Sequence, residues 1–73
     1  MFFMLERLVA VGWISTGIIL EGDFHSHLIV LDKFRKLYPG TDFRARRISG
    51  GAALIFVAQG MEILSAPEVP KDV

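Results

Sequence analysis

The chain has 73 residues, 52% of them apolar, with a mean hydropathy of +0.46, a formal net charge of zero and no cysteine. That length accommodates one domain, near the lower limit at which a single hydrophobic core can stabilise a fold. Without cysteine, disulfides, thiolate catalysis and cysteine-ligated zinc or iron–sulfur centres are excluded, and a reducing, cytoplasmic setting is the expectation.

Residues 1–20 are apolar enough to raise a membrane reading. The uncharged run 8–20 nevertheless falls short of the roughly 20 residues a spanning helix needs, and Glu6 and Arg7 interrupt the longer run. A signal peptide would carry its positive charge ahead of the apolar region, whereas Arg7 follows Glu6 inside it. Extended structure fits better. Residues 8–14 are β-branched and aromatic, Ser15-Thr16-Gly17 has turn chemistry, and residues 18–20 would return as a second short strand, giving an N-terminal hairpin. Both alternate sets of residues 8–14 are apolar, which is the pattern of a strand covered on both sides.

The next segment carries the strongest local signal. Asp23 is placed to cap a helix, since its side-chain oxygen can accept a free first-turn amide and its charge suits the positive end of the helix dipole. Phe24, Leu28, Leu31, Phe34 and Tyr38 recur at three- or four-residue spacing and so define a core-facing stripe, with Ile29, Val30 and Leu37 adding apolar surface beyond it. Lys33, Arg35 and Lys36 crowd the last turns, and Pro39-Gly40 ends the helix near Leu37.

After the helix, Phe43 and Ala45 alternate with Arg44 and Arg46, as in a strand with one buried face; Arg47-Ile48 breaks the alternation. Either a bulge restores Ile48 to the core side or Arg47 points inward to a carboxylate. Ser49-Gly50-Gly51 reads as a tight hairpin turn, residues 52–58 as a strand apolar on both faces, Gln59-Gly60 as another turn and residues 61–64 as a short edge strand. The tail, 65–73, is polar and contains prolines, hence extended or disordered.

The expected fold is therefore α+β: one helix on a small, mostly antiparallel sheet in the order β-β-α-β-β, with or without a short last edge strand, spanning residues 1–64. One helix covers one face of a sheet, so two strands apolar on both faces imply a second chain on the other face.

No chemistry-bearing constellation stands out. Asp23, His25 and His27 would align on a strand but diverge on a helix, and zinc needs three or four converging ligands, so no metal or other cofactor is expected. Ser26 or Ser49 with His25 or His27 and Asp23 or Asp42 form a triad only on paper, without a nucleophile elbow, and Gly50-Gly51 lacks the Lys-Ser/Thr ending of a phosphate loop. The reading is non-enzymatic.

Charge is the remaining signal. Between residues 33 and 47 there are six Lys/Arg against one acid, Asp42, while the rest of the chain is acidic by the same margin. Arg44, Arg46 and Arg47, supported by Lys33 and Lys36, are the candidate binding residues, with Trp13 as a candidate apolar anchor whose alternative fate is the core. The expected function is a small protein-interaction module, acting as a homo-oligomer or as an adaptor or inhibitor on another protein. The alternative is RNA or DNA binding through the same basic surface: the order of helix and basic strand resembles small RNA-binding α/β domains in order and charge alone, without an aromatic platform or GXXG loop. In the structural reading of the cluster, the arginines pair with Glu6, Glu21 or Glu62.

Overall fold

The computed structural model describes residues 1–65. Six elements follow one another: β1 (Phe2–Val9), β2 (Gly12–Glu21), α1 (Phe24–Leu37), β3 (Phe43–Ile48), α2 (Gly50–Ala58) and β4 (Glu62–Ser65). They build one mixed four-stranded sheet in the order β3-β1-β2-β4, with β1 antiparallel to β2 and β3, and β4 parallel to β2. The α+β class holds. The order is β-β-α-β-α-β, and the second helix is the principal departure from the sequence reading.

The N-terminal hairpin exists, but its turn lies elsewhere. Val9 pairs with Gly12 across a two-residue loop, Ala10-Val11, so residues 8–14 straddle the turn instead of forming one strand. Gly12 takes φ +121°, a conformation that side-chain-bearing residues rarely adopt. Ser15-Thr16-Gly17 is not a turn: the register shifts between Leu5 and Glu6, whose partners are Ile18 and Ser15, so Thr16 and Gly17 bulge out of β2. The turn-forming chemistry is used within the bulge. Thr16 Oγ1 donates to the Leu5 carbonyl at 2.8 Å and accepts from the Ile18 amide at 3.3 Å, the Gly17 amide donates to Ser15 Oγ at 3.0 Å, and Gly17 supplies φ +83°.

Helix α1 begins and ends where its caps require. Asp23 accepts from the Ser26 amide at 2.7 Å, and Tyr38, ahead of Pro39, closes the last turn through its amide to the Phe34 carbonyl at 3.0 Å. Its buried side is rotated from the expected stripe. His27, Val30 and Leu31 are buried with Phe34 half-buried, whereas Phe24, Leu28 and Tyr38 are exposed. His27 replaces Phe24 as the first-turn core residue by stacking on Phe3, with ring centroids 3.8 Å apart.

Residues 49–58 are an N-cap and a helix, not a hairpin turn and a strand, while the turn at Gln59-Gly60 is present where the sequence places it. Ser49 Oγ accepts from the Ala52 amide at 3.0 Å as the N-cap of α2. At the other end Gly60, at φ +98°, donates to the Val57 carbonyl at 3.0 Å and Met61 to the Phe56 carbonyl at 3.1 Å. These two bonds form a Schellman motif, and its flanking residues Phe56 and Met61 both pack against the buried cluster of Met4, Ile19, Ile48 and Ala53. The topology requires such an element, because β3 and β4 both run parallel to β2 and a tight hairpin cannot join parallel strands. Replacing Ser49 by Ala should cost about 1 kcal/mol in urea unfolding, with amide protection falling first in α2; an unchanged midpoint would show that the cap contributes nothing.

The two helices lie on opposite faces. The β2-α1-β3 connection crosses the sheet in one direction and β3-α2-β4 crosses back, so crossovers of one hand place one helix on each side. Phe3, Leu5, Leu20 and Phe43 pack beneath Val30 and Leu31 of α1; Met4, Ile19 and Ile48 pack beneath Ala53 of α2 with Phe2, Phe56 and Met61. Pairing of β1 with β3 runs without a bulge from Phe2↔Ile48 to Arg7↔Phe43, so Ile48 is buried on the α2 face and Arg47 lies on the α1 face, exposed, with no carboxylate partner among the described residues. The second face is thus covered in part by the chain itself, which corrects the inference that only another chain could cover it. Ser65 ends β4, one residue beyond the expected boundary, and the tail reading for 66–73 falls outside the described residues. Among those residues no helix is long and apolar enough to cross a membrane.

Candidate interaction surface

The α2 face of the sheet divides into two halves. At the Phe2 end α2 closes over Met4, Ile19 and Ile48; at the hairpin end Glu6, Leu8, Trp13, Ser15, Arg44 and Arg46 share the same face without a helix above them. Glu6 is the centre of that open half. It stands on the inner strand β1 and is only 7% exposed, because two arginines from β3 close over it. Arg44, its cross-strand partner, donates Nε to Glu6 Oε1 at 2.8 Å, and Arg46, one pair further along, donates Nε to Oε2 at 3.4 Å. The Arg44 guanidinium also lies over the Trp13 ring, 4.4 Å from its centroid.

The electrostatics follow from this arrangement. Burial works to raise the Glu6 pKa, but the hydrogen bonds from Arg44 and Arg46 and their positive charge outweigh it and hold the carboxyl below the ordinary glutamate range. Asp23, fully exposed, is also held low, by the amide of Ser26 that it caps.

The cluster read from the sequence is divided by the fold. Arg44 and Arg46 face one side, while Arg47 and the α1 residues Lys33 and Lys36 belong to the other; Lys36 is engaged by Asp32 at 2.9 Å. Of the proposed acidic partners Glu6 is the one used, and Trp13 is neither core nor free: 36% exposed, it is the platform beneath Arg44. Among the described residues no group of three His, Cys, Asp or Glu is placed to hold a metal ion; His25 is exposed and His27 points into the core.

The outer side of α2 is a surface that a strand reading of residues 52–58 does not reveal. Leu54 and Ile55 are 72% and 60% exposed, Val57 is also exposed, and residues 49–61 contain no charge. Beside α2, at the sheet edge, every residue of β4 is exposed, and Ile63 is on the same face as Ile19. The signal was present in the composition: a helix apolar all round is normally buried all round. No protein-family model matches the chain, and no curated protein or solved structure is significantly similar to it.

Proposed function

We propose that the chain is a small interaction module that works as a homo-oligomer, joining a second copy through the outward side of α2. The observation that carries this reading is the uncharged apolar surface of Leu54, Ile55 and Val57. A short helix that begins with two glycines is marginal by itself, and burial of its outer side would supply the stability its propensity lacks. A surface without charge can meet its own copy across a two-fold axis with no like-charge repulsion, and this favours self-association over an acidic or basic foreign partner. The open half of the same sheet face, with Trp13 and the Glu6-paired Arg44 and Arg46, then forms a polar flank that orients the contact. The cysteine-free composition suits a cytoplasmic setting for such a module.

Light scattering across a dilution series, without detergent, tests the reading. A dimer or larger species is expected, and Leu54→Lys should return it to monomer while the far-UV spectrum is unchanged, because Leu54 makes little contact within its own chain. A wild-type monomer at every concentration, or an oligomer untouched by Leu54→Lys, would refute it. Nucleic-acid binding has weaker support: two of the five basic candidates are shared with Glu6 and the other three lie on the opposite side, so the five candidates do not share one phosphate-tracking surface.

A further inference from the structure

On the α1 face, at the end of the sheet remote from α2, a groove of about 360 Å³ lies between the last turn of α1 and the hairpin ends of the strands. Its apolar wall is aromatic. Phe34, Tyr38 and Phe43 form a cluster with ring centroids 5.8 Å (Phe34–Phe43), 6.0 Å (Tyr38–Phe43) and 6.5 Å (Phe34–Tyr38) apart. Beside Phe43 stands Arg7, whose cross-strand neighbours are Phe43 and Ile14.

Arg7 breaks the pattern of its strand. Phe3 and Leu5 precede it on the same face as buried core residues, and the next position in that alternation is a guanidinium rising from an inner strand of the sheet. Among the described residues it has neither a carboxylate within 4.0 Å nor a side-chain hydrogen bond. Arg44 and Arg46, by contrast, bond to Glu6, and Arg35 donates to the Phe43 carbonyl at 3.2 Å. Two further polar groups line the groove with their hydroxyls uncommitted in the same sense, Tyr38 and Thr41, whereas the Ser15 and Thr16 hydroxyls are used inside the β2 bulge. Arg7 is exposed, and its guanidinium, committed to no group of the described residues, is open to an anion entering the groove beside Phe43.

From the unpaired guanidinium, the aromatic wall and the size of the groove, we infer that it binds a small organic carboxylate with a flat apolar body. The guanidinium fork matches the two carboxylate oxygens, the ring cluster takes the apolar part, and the Tyr38 and Thr41 hydroxyls serve as flanking donors. The volume lies at the low end of small-molecule sites, which favours a single ring over a nucleotide. This inference is independent of self-association, because groove and α2 lie on opposite faces.

Amide chemical-shift titration with benzoate, benzyl alcohol and inorganic phosphate tests it on the full chain. Benzoate should shift the amides of Arg7, Tyr38, Thr41 and Phe43 saturably, with millimolar affinity fitting so small a probe. Benzyl alcohol, which lacks the charge, and phosphate, which lacks the ring, should each bind about tenfold more weakly or worse. Arg7→Gln should weaken benzoate by about tenfold and Arg7→Lys by less, because lysine keeps the charge and loses the fork. Unsaturable shifts, equal binding by Arg7→Gln in a spectrum that is otherwise native, or phosphate binding more tightly than benzoate would each overturn the inference. Light scattering on Arg7→Gln keeps the two proposals separable, since its mass should equal that of the wild type.

Discussion

Replacing Ile19 by Ala is expected to cost about 3 kcal/mol of unfolding free energy, enough to bring a domain of this size close to the edge of stability. Ile19 is 0% exposed, and on its own face that burial depends on α2, through Ala53 with Phe56 and Met61 in the same cluster. The residue therefore reports on the docking of the second helix. Without that helix Ile19 would face solvent on one side of a sheet, and truncating it would cost well under 1 kcal/mol. Urea unfolding followed by circular dichroism and by Trp13 fluorescence decides between them. A small loss would mean that α2 is not seated on the sheet; coincident transitions with a large loss would mean that it belongs to the same cooperative unit.

How far this fold was legible in the sequence can be traced to particular residues. Helix α1 was visible because a charged cap, an apolar period and a proline stop agreed, and β3 because Phe43 to Arg46 alternate. Helix α2 was hidden, since nine apolar and glycine residues carry no period to distinguish helix from strand. Its caps did carry the signal. Ser49 and Gly60 bracket Gly50–Ala58 as N-cap and C′ residue, the same punctuation that makes α1 readable, but Gly50-Gly51 equally fits a hairpin turn. In the hairpin the reverse occurred: Ala10-Val11, a poor turn sequence, makes the turn, while Ser15-Thr16-Gly17 makes a bulge inside the strand. Hairpin register is decided by what each residue meets across the ladder, and that is not a local property.

The candidate surface was legible residue by residue and not as a whole. Arg44, Arg46 and Trp13 were singled out, and Glu6 was among the acids proposed as partners, yet their meeting on one face depends on β3 lying beside β1, a long-range pairing. Counting charges between residues 33 and 47 merged two faces into one, because Arg47 and the α1 lysines are near Arg46 in sequence but lie on the other side of the sheet. The surplus of apolar residues is matched by exposed Leu54, Ile55 and Val57, while their location, the outside of α2 instead of a bare sheet face, required the helix to be known.

Glu6→Gln should cost about 2 kcal/mol and also alter the pH dependence of stability. The substitution keeps one acceptor and nearly the same volume but removes the charge that two guanidiniums share, leaving Arg44 and Arg46 as like charges on one side of a strand. The side chains of Arg44 and Arg46 are 44% and 51% exposed, so water screens part of that repulsion and the loss stays below that of breaking a fully buried pair. The sign with pH follows from Glu6 being held below its ordinary range. The folded state binds the Glu6 proton less tightly than the unfolded chain does, so the stabilisation is complete above the unfolded glutamate value, about 4.3, and is lost as pH falls through the lower folded value. Unfolding free energies from pH 7 to 2.5 should therefore converge for wild type and Glu6→Gln at the acid end and separate toward neutrality. Asp23, also held low by its cap, leaves a residual acid limb in both proteins. Parallel curves offset by a constant would show that the loss comes from packing, not from charge. With the tether gone, Arg44 is freer to leave the Trp13 ring, and a shift in Trp13 emission that grows in step with the stability difference would tie the two effects to the same carboxylate.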